Sequence, residues 1–431
     1  MKSFFISAGL VAVGTAGLQS AIADDSIPAP SPKIWSVSAT LRGFYDDNYA
    51  TSPNRKGSFG VELSPSVSLN DSFTQTDVGV RYTYGLYWYQ ERQILSQNAF
   101  DQTHQVDLWL DHAFNERWKA NVTDSFVSGQ DPALVNGGVP FRTEGNNIAN
   151  NLNVGLDTQW TREFSTAAHY SNGFYDFQQS GAAFVPGTPG TLNPGVSLAG
   201  LLNRDEQNAG LDLQWRFSPE TLVFVGYSFK YVDFTGNEPI AVAPGGLSPI
   251  NSDYRNSYSH QLYAGIQQQF TANLSGAAKA GAEYVDNFNQ STDKAKSWSP
   301  YANVSLTYTY LPGSYLQVGF TQGNNATYVA GITSAGGITQ YEETSTAYGS
   351  INHHFTDKLI GSGVIQYSYS EFHGGPGYAP DVDYSAGLNL TYIINQYLSA
   401  DIGYNYDKLR SDIPGAGYEQ NRYYIGLTAT Y

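Results

Sequence analysis

The feature that most constrains this chain is a hydrophobic period of two, sustained for 9 to 13 residues at a time. In "LVFVGYSFKYVDF" (222–234), Val223, Val225, Tyr227, Phe229 and Tyr231 share one face, and Gly226, Ser228 and Lys230 share the other. In "DVGVRYTYGLYWY" (77–89), Val78, Val80, Tyr82, Tyr84, Leu86 and Trp88 oppose Asp77, Arg81 and Thr83. In "SADIGYNYD" (399–407), Ala400, Ile402, Tyr404 and Tyr406 oppose Ser399, Asp401, Gly403, Asn405 and Asp407. Extended backbone sends alternate side chains to opposite faces, whereas a helix would repeat its stripe at three and four residues. Strands of soluble proteins are mostly ~5–6 residues long. A tilted strand that crosses a bilayer needs ~9–11. An apolar file on one side, with Gly, Ser, Thr, Asn and scattered charges on the other, is the lipid-out, lumen-in pattern of a transmembrane β-barrel.

A short phrase separates these runs and returns eight times: "LNDSFT" (69–74), "AFNERWKA" (113–120), "WTREFST" (160–166), "RFSPETLVF" (216–224), "QFTANLSG" (269–276), "YLPGSYL" (310–316), "HHFTDKLIG" (353–361) and "INQYLSA" (394–400). Each joins a few turn-forming polar residues to aromatic or Leu shoulders. Such shoulders form an aromatic girdle at a membrane edge, so these read as periplasmic turns. Longer Gly/Pro-rich stretches alternate with them, at 46–57, 90–103, 129–148, 178–205, 235–256, 289–297, 323–340, 373–381 and 408–420. These nine read as extracellular loops. Seventeen connections imply 18 strands, with 16 as the nearest alternative; the count is least secure around 165–177 and 315–350. The fold class is therefore all-β, a single antiparallel up-and-down barrel, with both termini in the periplasm.

The first 23 residues read as a cleaved secretory signal: Lys2, an apolar stretch from Phe4 to Leu18, and Ala21-Ile22-Ala23 before the cut. An uncleaved anchor helix is disfavoured because the stretch is short and carries Gly and Thr. Residues 24–34 read as a Pro-rich periplasmic segment and 35–431 as the barrel. The chain has no Cys, which excludes a disulfide framework and thiolate metal sites. Beyond the signal, no apolar run approaches the ~20 residues of a membrane helix. The 33 Tyr, 22 Phe and 44 Gly suit a sheet with one greasy and one wet face, and so many aromatics argue against disorder. The net charge of −16 becomes −17 without Lys2, which argues against nucleic acid as a partner.

The closing strand "NRYYIGLTATY" is the most specific signal. Tyr423, Ile425, Leu427, Ala429 and Tyr431 form an unbroken apolar file ending on an aromatic. The file looks like the mark by which the barrel-assembly machinery recognises its clients in the Gram-negative outer membrane. A buried C-terminal strand of a soluble protein is the bland alternative. With "YDDN" (Tyr45 to Asn48) and the "F-T-x-x-L" turns, this strand resembles the putative β-barrel porin 2 family, which includes exopolysaccharide-operon members. The resemblance spans the mature chain. It implies an outer-membrane barrel and brings no catalytic residues.

No H-E-x-x-H, Walker loop, dinucleotide fingerprint or G-x-S-x-G elbow occurs, so no enzymatic activity, cofactor or metal is expected. His353 and His354 adjoin a turn and, as strand neighbours, point to opposite faces. The acidic pieces "NSDY" and "DVDY" read as solvated loops rather than Ca²⁺ sites. The alternation places Glu62, Asp77, Asp107, Asp111, Asp157, Asp212, Glu283, Asp401 and Asp407 in the lumen with Arg42, Arg81, Lys119, Arg216, Lys230, Lys279 and Arg422. Arg81 is in reach of Asp107 or Asp111; such pairs either brace the wall or line a passage. Asp124 falls on the apolar face and is read as the end of its strand, since a charge facing lipid at midplane is costly.

An 18-strand barrel is wide enough for an aqueous channel. The apolar pieces of 178–205 and 235–256 suggest loops folded into the mouth. The leading expectation is a porin for passive diffusion of small hydrophilic solutes, weakly cation-selective because of the acidic balance. The alternatives are an exopolysaccharide export barrel, which aromatics would line if the polymer were neutral, and a plugged structural or adhesive barrel. Expected partners are outer-membrane lipid and lipopolysaccharide, the assembly machinery and small solutes. A homo-oligomer is left open, because an interface patch and a lipid face are both apolar.

Overall fold

The computed structural model describes residues 34–431 except 132–134, 136–137, 144, 179–196, 244–247, 291–295, 335 and 414. The leader, nearly all of 24–34 and most of the loop 178–205 lie outside the described residues.

Eighteen antiparallel strands form one closed sheet. The first half of the wall is β1 (Trp35–Asp46), β2 (Ser58–Ser72), β3 (Thr76–Tyr89), β4 (Phe100–Ala113), β5 (Trp118–Gly129), β6 (Asn147–Gln159), β7 (Phe164–Asp176), β8 (Arg204–Ser218) and β9 (Thr221–Asp233). A small hairpin, β10 (Pro239–Val242) and β11 (Pro249–Asn251), lies within the next loop. The second half is β12 (Ser257–Thr271), β13 (Leu274–Asp286), β14 (Lys296–Leu311), β15 (Ser314–Asn325), β16 (Tyr341–Thr356), β17 (Leu359–His373), β18 (Asp381–Asn395), β19 (Leu398–Arg410) and β20 (Tyr418–Thr430). Each wall strand pairs with its neighbours in sequence. β1 closes the ring on β20 through Ser38↔Thr430 to Asp46↔Arg422. Closure leaves no unpaired edge, which an apolar medium demands because it offers backbone groups no other partner. Among the described residues no helix is long and apolar enough to cross a membrane.

The eight short connections coincide with the repeated phrase. Local chemistry explains its form. Thr356 Oγ1 accepts from the Lys358 and Leu359 amides at 3.2 and 3.0 Å. Thr161 Oγ1 does the same for Glu163 and Phe164, and Asn115 Oδ1 for Arg117 and Trp118. Ser218, Thr271 and Asn395 each cap their own turn in this way. A short polar side chain thus satisfies amides that the tight turn leaves without a ladder partner. The preceding residue has its own reason. At five turns the register skips one residue, and the skipped residues are Phe217, Phe270, Tyr310, Phe355 and Ile394. Phe217, Phe270, Phe355 and Ile394 are exposed, each a bulged apolar side chain on the short-turn rim.

The outer face carries the apolar files. Leu41, Leu63, Leu213, Val225, Ile402 and Ile425 are all exposed there. Asp124 requires a correction. β5 does not end at it but continues to Gly129, leaving Asp124 in mid-strand on this face. Asn150 Nδ2 of β6 donates to its carboxylate at 2.9 Å, so a polar neighbour on the adjacent strand replaces part of the missing hydration. "DVDY" is corrected too: it is the start of β18 rather than a loop.

Candidate functional site

In a closed barrel, side chains from strands that are not neighbours meet only inside. That criterion identifies the inner face. Arg42 of β1 reaches across β20 to Asp401 of β19 at 2.9 Å and lies 3.5 Å from Glu62 of β2. Asp212 of β8 accepts from the Tyr263 hydroxyl of β12 at 2.7 Å. Glu283 of β13 accepts from Asn324 at the end of β15 at 3.1 Å. Lys279 sets its ammonium 4.0 Å from the Tyr263 ring centre and 4.9 Å from that of Tyr301. On the same face, Arg81 pairs with Asp107 at 3.3 Å, and Asp111 stands opposite Asp77 in the β3–β4 ladder. Lys119 and Asp157 are register partners, and Arg216 shares the file of Asp212 toward the short turn. Lys230 pairs with Glu206 at 2.8 Å, and Arg204 joins the same carboxylate at 2.6 Å.

Glycines are frequent on this face for a steric reason. Phe44, Trp109, Phe224, Tyr348 and Tyr424 each lie beside a register partner that is glycine: Gly60, Gly79, Gly265, Gly319 and Gly403. A Cβ on Gly79 would meet the Trp109 ring at 2.1 Å, and one on Gly403 the Tyr424 ring at 2.2 Å. The rings therefore lie flat on the wall in space that any other residue would fill.

The long-loop end is closed over by its own connections. Residues from five loops share one apolar cluster, including Phe141, Leu201, Ile240, Val329 and Ile413. The cluster also takes in Ala149 of β6 and Leu409 of β19, which are widely separated around the wall. Wall residues so far apart share a cluster only through the lumen, so the loops fold into the mouth. Arg255 fastens them. It is 2% exposed, and its Nη1 donates to the carbonyls of Leu201 and Thr327 at 3.2 and 3.0 Å, while Nη2 donates to that of Val329. Burial pushes its guanidinium down to about 9, so it remains charged at neutral pH.

A chamber lies beneath this cover, lined by β3–β4, β17–β20 and, from the loop after β5, Gln130, Asp131, Pro140 and Arg142. One side is basic and aromatic. Behind the lining, Arg92 bonds Asp101 at 2.7 and 3.1 Å and lies 4.0 Å from the Tyr89 ring centre. Arg142 reaches Asp101 at 2.7 Å. Arg422 bonds Asp46 and donates to the Tyr89 hydroxyl, both at 3.2 Å. The other side carries Asp383 and Asp407, from adjacent strands, and neither makes a hydrogen bond or ion pair with the described residues. Among the described residues no group of three or more His, Cys, Asp or Glu could hold a metal ion.

Sequence reasoning named Asp407 and Arg422 but missed Asp46, Arg92, Asp101, Arg142 and Asp383. Arg92 and Arg142 lie in loops, where no periodicity assigns a face. Asp46, Asp101 and Asp383 occupy strand ends that read as loop. The inner-face rings were also missed; an aromatic directly across from a glycine was the available signal.

No curated protein matches the chain. Among solved structures, it is similar to OccAB4 of Acinetobacter baumannii at 10% identity and a TM-score of 0.42, covering 93% of this chain and 100% of that one. A BenF-like porin from Pseudomonas fluorescens Pf-5 gives 9% and 0.44, with 92% and 99% covered. A mutant of the ferric enterobactin receptor PfeA of Pseudomonas aeruginosa gives 10% and 0.46, with 94% and 81% covered. The family model described as "Putative beta-barrel porin 2" matches residues 34–431, and the chain belongs to that family.

Proposed function

We propose that the protein is a channel of the bacterial outer membrane through which small hydrophilic solutes diffuse passively, with a weak preference for cations. The observation that carries this reading is the chamber under the loop cover. Its charged lining sets Arg142 and Arg422 against Asp101, Asp131, Asp383 and Asp407, so the net field of the chamber favours positive charge. The overall charge of −16 acts in the same sense. In this reading the short turns are periplasmic, the long loops face the outside and both termini are periplasmic. The sixteen charged residues read from the alternation line the passage and brace its wall. The file of Tyr423, Ile425, Leu427, Ala429 and Tyr431 faces outward at the seam with β1, which supports its role as the assembly signal.

The test is single-channel conductance of the refolded protein in a planar bilayer under a salt gradient. Stable steps with a cation-biased reversal potential are expected. A barrel that folds yet stays electrically silent would overturn passive diffusion. A second reading, a conduit for a neutral polysaccharide, draws on the rings along the inner wall, since aromatic faces suit sugar stacking; the silent outcome would favour it.

A further inference from the structure

The chamber is two-sided, and that asymmetry narrows the solute class. We propose that it binds small zwitterions, solutes with an ammonium group at one end and a carboxylate at the other. The inference rests on the channel reading and deepens it.

Asp383 and Asp407 provide the end for an ammonium. They project from adjacent strands into the same cavity, and neither makes a hydrogen bond or ion pair with the described residues; Arg422, on the strand next to Asp407, acts on Asp407 by its charge without bonding it. Two carboxylates with no bonded partner leave a polar cavity incompletely satisfied, and a ligand cation completes it. A metal ion fits less well, because the described residues offer no group of three ligating side chains.

Arg142 and Arg422 provide the end for a carboxylate. Both line the cavity. Asp101 engages Arg142 through Nη2 only, and Arg422 uses Nε and Nη2 for Asp46 and Tyr89. Among the described residues, Nη1 of each has no hydrogen-bond partner. Their existing bonds hold both guanidiniums in place, so little side-chain freedom remains to be lost on binding. Tyr87 and Tyr89 stand beside them as a rigid aromatic wall.

The experiment compares three probes on one four-carbon skeleton: 4-aminobutanoate, butylamine and butanoate. Each is tested for block of the potassium current through single channels of the whole protein. The zwitterion should block at a concentration roughly tenfold below either singly charged analogue, the equivalent of one added charge contact of about 1.4 kcal/mol. Asp383→Asn with Asp407→Asn should abolish its advantage over butanoate. Should the double variant not fold, Asp407→Asn alone is measured, with at least a threefold loss expected. Butylamine matching the zwitterion would reduce the site to a cation trap and overturn the proposal, as would equal block by all three or an unchanged double variant. If the folded barrel conducts nothing, the channel reading fails by itself. Calorimetric titration of the three probes into the detergent-solubilised barrel then decides the proposal: selective heat from 4-aminobutanoate sustains it, and no selectivity refutes it.

Discussion

The two ends of this barrel are built by opposite means. At the short-turn end, most connections cap their own amides, and their remaining bonds go to the strand next door. Thr356, Thr161 and Asn115 cap amides two or three residues ahead, and at five turns the ladder skips one residue to expose a bulged apolar side chain. At the long-loop end, the loops also bond to one another. Arg255 spends its bonds on carbonyls 54 to 74 residues away in sequence. Tyr418 donates to the Pro140 carbonyl, and the Arg142 amide donates to Thr51. The first end is a set of locally bonded units and the second is tied together by contacts between loops. This follows from loop length: three residues leave no choice of conformation, whereas twenty need distant contacts to select one.

The largest expected effect comes from Arg255→Met. Three buried carbonyls would lose their donor, at about 1–3 kcal/mol each. The loops should become protease-sensitive and single-channel conductance should rise, while the heat-modifiable migration of the barrel in detergent gels stays at the same temperature. Loss of the barrel along with the loops would break the comparison, since the wall would then depend on the cover.

Leu201→Ala should come next. Leu201 is fully buried in the loop cluster, so its truncation costs roughly 2–5 kcal/mol of local stability. Combined with Val329→Ala in the same cluster, the pair should deviate from additivity by about 0.5–3 kcal/mol. Hydrogen exchange of the loop amides measures both; strict additivity would count against a cooperative mouth.

Turn caps should matter less. Thr356→Ala removes one side-chain acceptor and should lower stability by about 0.5–1.5 kcal/mol. Thr161→Ala should do the same, and the double variant should be additive within about 0.5 kcal/mol, because these two turns lie far apart around the ring and have no partner in common. Denaturant unfolding from lipid vesicles measures it. The smallest effect is expected for Asp124→Asn, which keeps the contact with Asn150 and removes a charge from the outer face. It should leave stability unchanged or raise it by up to about 1 kcal/mol; a clear loss would show that Asp124 has a charged partner.

What the residues alone determined is local. Period two decides strand, the pleat decides which residues share a face, and turn chemistry decides where the chain reverses; each needs only a few neighbouring residues. The strand count, the positions of all seventeen connections and the Arg81–Asp107 pair were legible for that reason. Tertiary structure decided how the loops fill the mouth, which arginine fastens them, and how Asp383 and Asp407 come to share a chamber with Arg142 and Arg422. Those outcomes depend on groups hundreds of residues apart, such as Arg422 and Tyr89 at a separation of 333. No periodicity in a loop records where its far partner lies. Only closing the barrel brings the two ends of such a contact within bonding distance.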